Sequence, residues 1–564
     1  MGQTVRDDRR QDRTPTQIRT QVLIVGGGPV GMALALALER FGIDCVVIER
    51  SATTTDHPKA RGLNARTMEI FRTWGIEGTV RACGMRTHSD IVHWCANLAG
   101  PIEGSTHPEG TVSSPTPKSL VCQNFVEDCL EEALRTARHV DFRRLHEFVG
   151  LAEADGQVTA RIRNLRDGQD LQVEARYAVA CDGASSGVRD ALGIQMDGPL
   201  ELARFANHYY KADVGHFPHL RGAFAYIVRP DDPEAASFEL LGANPDGKHF
   251  IYQQRLVEET DQPLSEEELI SLVRTHWEMP DLKIEPISLM KWRMSAQVAE
   301  RFRQSRVFLA GDAAHRFPPT GGMGLNSGVQ DVHNLAWKLA FVLRDLADPV
   351  LLDTYENERR PVALSNTAWS SGNFERMGRT TEAFRRRKED PAGWRAAVVE
   401  MDNHFHTDGQ TLGQIYDSAA VIKDGAAKPA ADSRYYWPSD YPGGRFPHIW
   451  TDVLRTKSTI DWFEGRFVLV CGPKADAWRA AGEAIQASSP VLLDVHSLID
   501  LRGPLTIRPE GAVLVRPDGF VAWRSIVAVT DPETMLRAVL NRLLGEGRNA
   551  STPAAGLSEL QGAA

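Results

Sequence analysis

Hydrophobic positions along this chain change their period several times, and each change marks an element. Gln21 to Val25 is a short β-rich run, broken by Gly26-Gly27-Gly28-Pro29 and followed by an apolar helical stretch to about Arg40, which Gly42 ends. Cys45-Val46-Val47-Ile48 is a second buried strand, and this strand–helix–strand order predicts a βαβ unit and a parallel sheet. Helices are expected over 64–74, closed by Gly75, and over 124–138. Strands are expected over 158–162 and 171–180, with Arg166-Asp167-Gly168 turning between them. Residues 85–118, rich in Gly, Pro, Ser and Thr, read as loop.

From 200 to 290 strand-like pieces dominate, such as Phe224-Ala225-Tyr226-Ile227-Val228 and His249-Phe250-Ile251-Tyr252, and predict a separate antiparallel sheet. Val307-Phe308-Leu309-Ala310 returns to the earlier character, ahead of a long helix from about Ser327 to Leu346. Residues 375–430 are charged and mainly helical, and the prolines and glycines between Pro438 and Pro447 read as a linker to a last α/β domain. The expected organisation is therefore an α/β domain from 19–84, 119–199 and 291–375, and a second domain from 85–118 and 200–290. A helical linker at 376–434 and a C-terminal domain at 435–545 follow, with a disordered tail at 1–18 and an Ala/Gly-rich tail at 546–564.

A length of 564 residues exceeds what one core supports, in agreement with several domains. A net charge of −10 argues against a nucleic-acid binder, which needs a basic face. Seven cysteines, none in a C-x-x-C pair, suit reduced thiols in a cytoplasmic protein and exclude a zinc site or a disulfide framework. No metal-ligand spacing occurs. The first twenty residues lack the apolar core of a signal peptide, and the apolar stretch 22–38 is interrupted by glycines, so a membrane span is not expected.

Gly26-Gly27-Gly28-Pro29-Val30-Gly31 fits G-x-G-x-x-G between a strand and a helix. Such glycines permit a tight turn and close approach of backbone to a pyrophosphate, which the helix N-terminus attracts. A plain glycine turn is the alternative, but Glu49 closes the second strand 23 residues after Gly26, where a ribose-binding acid belongs, and Arg50 follows it. A second motif joins Gly311-Asp312-Ala313-Ala314-His315 to Pro318-Pro319-Thr320-Gly321-Gly322-Met323-Gly324-Leu325-Asn326, between a buried strand and a long helix. Asp312 could accept from a ribityl hydroxyl, and the N–H groups near Gly324, Leu325 and Asn326 could face the edge of a flavin that gains charge on reduction. A third, Cys181-Asp182-Gly183-Ala184-Ser185-Ser186-Gly187-Val188-Arg189, completes the set.

With GGGPVG, DGASSGVR and GDAAHRFPPTGGMGLNSGVQDVHNLAWKL in place, residues 20–375 resemble the group A flavoprotein aromatic hydroxylases, the family of para-hydroxybenzoate and phenol hydroxylase. No WxWxIP segment of the flavin halogenases is present. The resemblance implies a glutathione-reductase-type FAD domain, an antiparallel-sheet substrate domain and a thioredoxin-like C-terminal domain. That last domain holds one cysteine, Cys471, which excludes dithiol chemistry and leaves a structural or homodimer-forming role. It further implies FAD contacts from Gly26, Gly28, Pro29, Val30, Gly31, Glu49, Arg50, Gln123, Asp182, Asp312, Pro319, Gly322, Gly324, Leu325 and Asn326. Arg61, in Lys59-Ala60-Arg61-Gly62, borders flavin and active site and carries a catalytic role. Yeast-type phenol hydroxylases have an Asp at this position, and many relatives have Arg at Lys59. The segment looks closer to the polycyclic polyketide hydroxylases.

The implied reaction is hydroxylation of a phenolic or polycyclic aromatic with O2 and NADH or NADPH through a flavin C4a-hydroperoxide. The single G-x-G-x-x-G goes to FAD, so the nicotinamide binds transiently. For substrate contacts the expected residues are His208, Tyr210, Tyr226 and Arg229, each with a core or surface role as the alternative. Baeyer–Villiger or epoxidising chemistry on the same scaffold, and a non-catalytic flavin-binding interaction protein, are the competing functions.

Overall fold

The computed structural model describes residues 16–85, 91–106, 111–215, 223–231, 238–244, 246–258, 260–501 and 503–545. Strand Thr16–Val25 lies at the centre of the first sheet. Its β-branched run pairs in parallel with Cys45–Glu49 on one side and with Asp170–Ala180 on the other. Val140–Arg144 extends the parallel sheet beyond Cys45–Glu49, and Val307–Leu309 extends it beyond Asp170–Ala180. Strands this apolar are what a parallel sheet covered on both faces demands: Val22, Leu23, Ile24 and Val47 are fully buried. Helices Pro29–Arg40, Gln123–Leu134 and Met323–Leu343 pack together over it. The strand starts at Thr16, so the segment expected to be disordered through residue 18 contributes its last residues to the sheet; residues 1–15 and 546–564 lie outside the described ones.

The second sheet runs in the order Ile284–Met294, Ala203–Ala212, His249–Leu256, Phe238–Gly242, Ala223–Val228, Ile91–Cys95, Gly104–Ser105. It is antiparallel except where Ala223–Val228 meets Ile91–Cys95. The stretch 85–118 is thus more than loop: its two short strands close the sheet edge, a pairing that composition could not reveal. One face of this sheet is covered by the amphipathic helix Glu266–Trp277 through Leu269, Val273 and Trp277. The other face opens onto a large cavity.

The C-terminal sheet has the order Leu493–Ser497, Phe467–Cys471, Ala512–Val515, Val521–Ser525. Its first pair is parallel and the others antiparallel, and helices Asp476–Ser488 and Pro532–Leu544 pack alongside it. The segment expected to be a linker at 438–447 is instead packed in. Asp440 and Arg445 are buried, Gly444 bridges Ile415, and Arg445 bridges Phe520. Arg445 forms a buried ion pair with Glu69 of helix Ala65–Thr73, with Nε to Oε2 at 2.9 Å. Nor is 376–434 a free connector, because Met377, Met401, His404 and Phe405 wall the cavity. Among the described residues no helix is long and apolar enough to cross a membrane.

Candidate active site

At the first strand–helix turn, backbone approach is tighter than any side chain allows. A Cβ on Gly26 would lie 2.3 Å from the carbonyl oxygen of Cys181, and one on Gly31 would lie 1.9 Å from that of Gly26. Gly31 therefore serves packing and does not reach the cavity wall. Gly28 is different: nothing lies within 4 Å of its Cβ position, and it begins helix Pro29–Arg40 without a side-chain cap. The first N–H groups of that helix face open space with the positive end of the dipole behind them. Glu49 is tied down by backbone, its Oε2 accepting from Gly27 N at 2.8 Å and its Oε1 from Ser51 N at 2.7 Å. Pro29, Val30, Glu49 and Arg50 line the same space, as does Asp182, whose Oδ2 accepts from Val188 N at 3.2 Å.

Further along, the turn Gly311–Ala313 presents Asp312 to the cavity with no hydrogen-bond partner among the described residues. Although Asp312 is open to the cavity, enclosure by the surrounding protein pushes the carboxyl up, against the pull of His315, Arg316 and Lys59. The turn rests on Asp331, which is buried and accepts from Gly311 N (3.2 Å) and Arg359 Nε (2.7 Å) and pairs with His315 Nε2 (2.6 Å). Burial alone would raise the Asp331 carboxyl, but His315 and Arg359 outweigh it and hold it low. Gly321 needs to be glycine twice over: its φ is +111°, and a Cβ would meet the Trp369 ring at 2.0 Å.

Pro319, Gly322, Gly324, Leu325 and Asn326 all reach the cavity wall, but the Asn326 side chain is committed elsewhere. It accepts from Asn64 N at 2.9 Å and donates to Gly62 O at 3.0 Å. Gln123 clasps the same segment from the other side, its backbone N–H donating to Ala60 O at 2.7 Å and its side-chain Oε1 accepting from Ala60 N at 3.4 Å. Between the two clamps Arg61 is held half-buried against the cavity wall, its Nη1 donating to Gly242 O at 3.4 Å. Burial brings its guanidinium down to about 10, with Cys122 and Glu239 opposing.

Arg61 and all the expected FAD-contact residues except Gly31 border one continuous cavity of about 1470 Å³. Small-molecule sites usually occupy about 300–1,000 Å³, so this one has room for a dinucleotide and a second molecule. The bare helix N-terminus at Gly28 and the unpartnered Asp312 carboxylate suit the pyrophosphate and the ribityl chain of FAD.

The expected substrate residues do not line the cavity. His208, Tyr210 and Tyr226 point to the opposite face of the second sheet. Tyr210 and Tyr226 sit in the core beneath helix Glu266–Trp277, and His208 Nε2 meets Gln254 Oε1 at 3.3 Å. Arg229 is spent on the carbonyls of Val228 and Phe238 and on Glu239. Their strand neighbours Phe205, Asn207, Ala225 and Ile227 line the cavity instead, because successive side chains alternate between faces. Glu239, Gln253, Trp292 and His404 also line it and escaped sequence reasoning. The apolar register of Leu269, Val273 and Trp277 on the covering helix was the available signal for which face is outer.

Residues 19–370 match the FAD binding domain family, and residues 439–547 match the C-terminal domain of aromatic-ring hydroxylases. The chain is 34% identical to a tetracenomycin B2 monooxygenase-dioxygenase of Streptomyces olivaceus, over 94% of this chain and 99% of that one. It is 32% identical to a 2,4-dichlorophenol 6-monooxygenase of Delftia acidovorans, over the same shares. Among solved structures, the flavin-dependent monooxygenase PieE in complex with FAD and substrate superposes with a TM-score of 0.86, at 31% identity over 94% of this chain and 99% of that one. The chain belongs to the FAD-dependent aromatic-ring hydroxylases. It is an FAD-dependent aromatic monooxygenase, and NAD(P)H and O2 are the cosubstrates that this membership implies.

Proposed function

We propose that this enzyme hydroxylates a phenolic or polycyclic aromatic substrate held between the second sheet and the flavin. The observation that carries this reading is one continuous cavity, which runs from the helix N-terminus at Gly28 to an aromatic chamber walled by Phe205, Trp292, Phe374 and Phe405. The relatives' own substrates, a tetracenomycin and a dichlorophenol, support the same class. When bound, FAD supplies the activation of O2 and the delivery of an electrophilic oxygen atom to an electron-rich ring.

The protein's part is binding, orientation and exclusion of water. Gly28 and the first turn of helix Pro29–Arg40 would bind the pyrophosphate, with Glu49 and Arg50 beside the adenosine ribose and Asp312 and Asp182 along the ribityl chain. The N–H groups from Gly322 to Asn326 would stabilise the charged edge of the reduced ring. Arg61 remains protonated at neutral pH and would favour the ionised, more electron-rich form of a phenol. The Cys471 domain, whose sheet order is compatible with a thioredoxin-like fold, serves as structure.

The test is reduction of the bound flavin by NADH or NADPH with and without a panel of phenols and polycyclic aromatics, followed by product analysis under labelled O2. Hydroxylated product from at least one aromatic that accelerates reduction is expected. Ring-expanded or epoxide product would transfer the assignment to the alternative chemistries, and absence of acceleration by every aromatic would reject the reading.

A further inference from the structure

The cavity face of the second sheet carries one polar row. Register aligns Ile227 with Glu239, Glu239 with Gln253, Gln253 with Asn207, and Asn207 with Met290, so these side chains stand abreast on one face. All five line the cavity. The next row on the same face, Ala225, Leu241 and Ile251, is apolar. On the other side Phe205 and Trp292 stack with ring centroids 4.7 Å apart. A line of hydrogen-bonding groups therefore runs between two strips of apolar surface.

The internal bonds of the row orient it without exhausting it. Gln253 Nε2 donates to Glu239 Oε2 at 2.9 Å, and Arg229 Nη2 stands 3.6 Å from Glu239 Oε1. Each carboxylate oxygen accepts more than one hydrogen bond, so Glu239 keeps acceptor capacity toward the cavity. Trp292 Nε1 donates to Asn207 Oδ1 at 3.0 Å, which turns the Asn207 amide so that its nitrogen is left to donate. Arg61 adds a half-buried positive charge near the Glu239 end. Two inter-strand steps separate Glu239 from Asn207, about 10 Å at ~4.8 Å per step. That is longer than a single benzene ring.

We infer that Glu239, Gln253 and Asn207 are specificity-determining residues that read oxygen substituents along one edge of a multi-ring aromatic. Glu239 accepts from a substrate hydroxyl, and the Gln253 and Asn207 amides donate to a carbonyl or second hydroxyl further along the same edge. This deepens the proposed function and rests on it, because it narrows the substrate class to fused-ring aromatics bearing at least two oxygens. The flanking apolar rows take the ring carbons. A monocyclic phenol satisfies only one end of the row and leaves desolvated polar groups at the other, which costs affinity.

The experiment uses the holoenzyme with oxidised flavin and follows the flavin absorbance during titration with 2,7-dihydroxyanthraquinone, whose hydroxyls are free of internal hydrogen bonds, anthraquinone and 2,4-dichlorophenol. The wild type is expected to bind the dihydroxy compound at least about tenfold more tightly than either of the others, the factor that a hydrogen bond to a charged group supplies. In Glu239→Gln that preference over anthraquinone falls below about threefold while anthraquinone itself binds as before, because only the charged acceptor has gone. Gln253→Leu, which keeps Glu239, is measured in parallel and lowers the same preference. Wild-type preference retained in Gln253→Leu and in a flavin-loaded Glu239→Gln overturns the inference. Should Glu239→Gln purify without FAD, Gln253→Leu alone decides, and retained preference there overturns it. Equal binding of 2,4-dichlorophenol and the dihydroxy compound by the wild type also overturns it. Failure of the underlying reading is recognised separately, as no acceleration of flavin reduction by any aromatic.

Discussion

Replacing Arg516 by Met should destabilise the whole chain, although Arg516 lies in the C-terminal domain and far along the sequence from the flavin motifs. Its guanidinium clasps Glu358 with Nη1 to Oε1 at 2.5 Å and Nη2 to Oε2 at 2.9 Å, and its Nε reaches Asp518 Oδ1 at 3.0 Å. Lys338 Nζ meets Glu358 at 2.7 Å, and Arg516, Glu358 and Lys338 are all fully buried. Burial would raise the Glu358 carboxyl, but Arg516 and Lys338 outweigh it and hold it far below the usual range. Removing one partner of a buried pair leaves an uncompensated charge and costs about 3–5 kcal/mol, unlike an exposed pair such as Arg537–Glu533, worth less than about 1 kcal/mol. A depressed carboxyl stabilises the fold above its unfolded pKa of about 4.3, so the deficit of Arg516→Met is full at neutral pH and shrinks as the pH falls and the cluster, left with Glu358 and Asp518 sharing Lys338 alone, takes up a proton. Denaturant titration followed by tryptophan fluorescence measures it, with Trp337 lying 5.3 Å from the Arg516 guanidinium as a local reporter. The double variant Arg516→Met with Glu358→Gln should cost less than the two single costs added. A single variant within about 0.5 kcal/mol of the wild type, or strictly additive singles, would refute the reasoning.

Gly28→Glu should yield folded protein without yellow colour, since its side chain has room but sets an anion where the pyrophosphate binds; FAD content after purification is the readout. Asp312→Ala should loosen FAD by about 10- to 100-fold, the loss of a hydrogen bond to a charged group of about 1.5–3 kcal/mol, with the circular-dichroism spectrum unchanged. Arg61→Lys keeps the charge but loses the planar fork, so turnover should fall while FAD affinity holds, and the pH for half-maximal substrate-stimulated flavin reduction should rise. Wild-type kinetics and FAD affinity in both Arg61→Lys and Arg61→Ala would falsify that role.

The cofactor end of the site was legible because its chemistry is local in sequence. A glycine whose Cβ would strike backbone, or a bare helix N-terminus, leaves a mark within a few residues, and the signals at Gly26, Gly28 and Gly321 all lie inside short motifs. The substrate end was not legible because it is assembled across strands. Whether Tyr226 or Ile227 looks into the cavity depends on which face helix Glu266–Trp277 covers, and side-chain chemistry alone selected the polar residues of the wrong face. Glu239 and Gln253 are 14 residues apart and ordinary in type; only strand register makes them neighbours. The same holds for the Pro/Gly-rich stretch near 443, which composition marks as a linker and Arg445, paired with Glu69 some 376 residues away, pins into the core.

That long-range pairing bears on what the C-terminal domain contributes. Glu358 and Arg359 are consecutive on helix Asp353–Arg385. Glu358 is held by Arg516 of the C-terminal sheet, whereas Arg359 donates to Tyr416 and to Asp331, the residue on which the Asp312 turn rests. Adjacent helical side chains diverge by about 100°, so one turn of helix takes the C-terminal domain on one side and the flavin-binding turn on the other. Close-packed interiors pass small displacements on instead of absorbing them. A domain whose one thiol, Cys471, is buried and cannot cycle as a dithiol can still matter to flavin chemistry by fixing where Asp312 stands. Its physical contribution is compensation of buried charge, which is why its loss should be felt first as instability and only through that as loss of flavin.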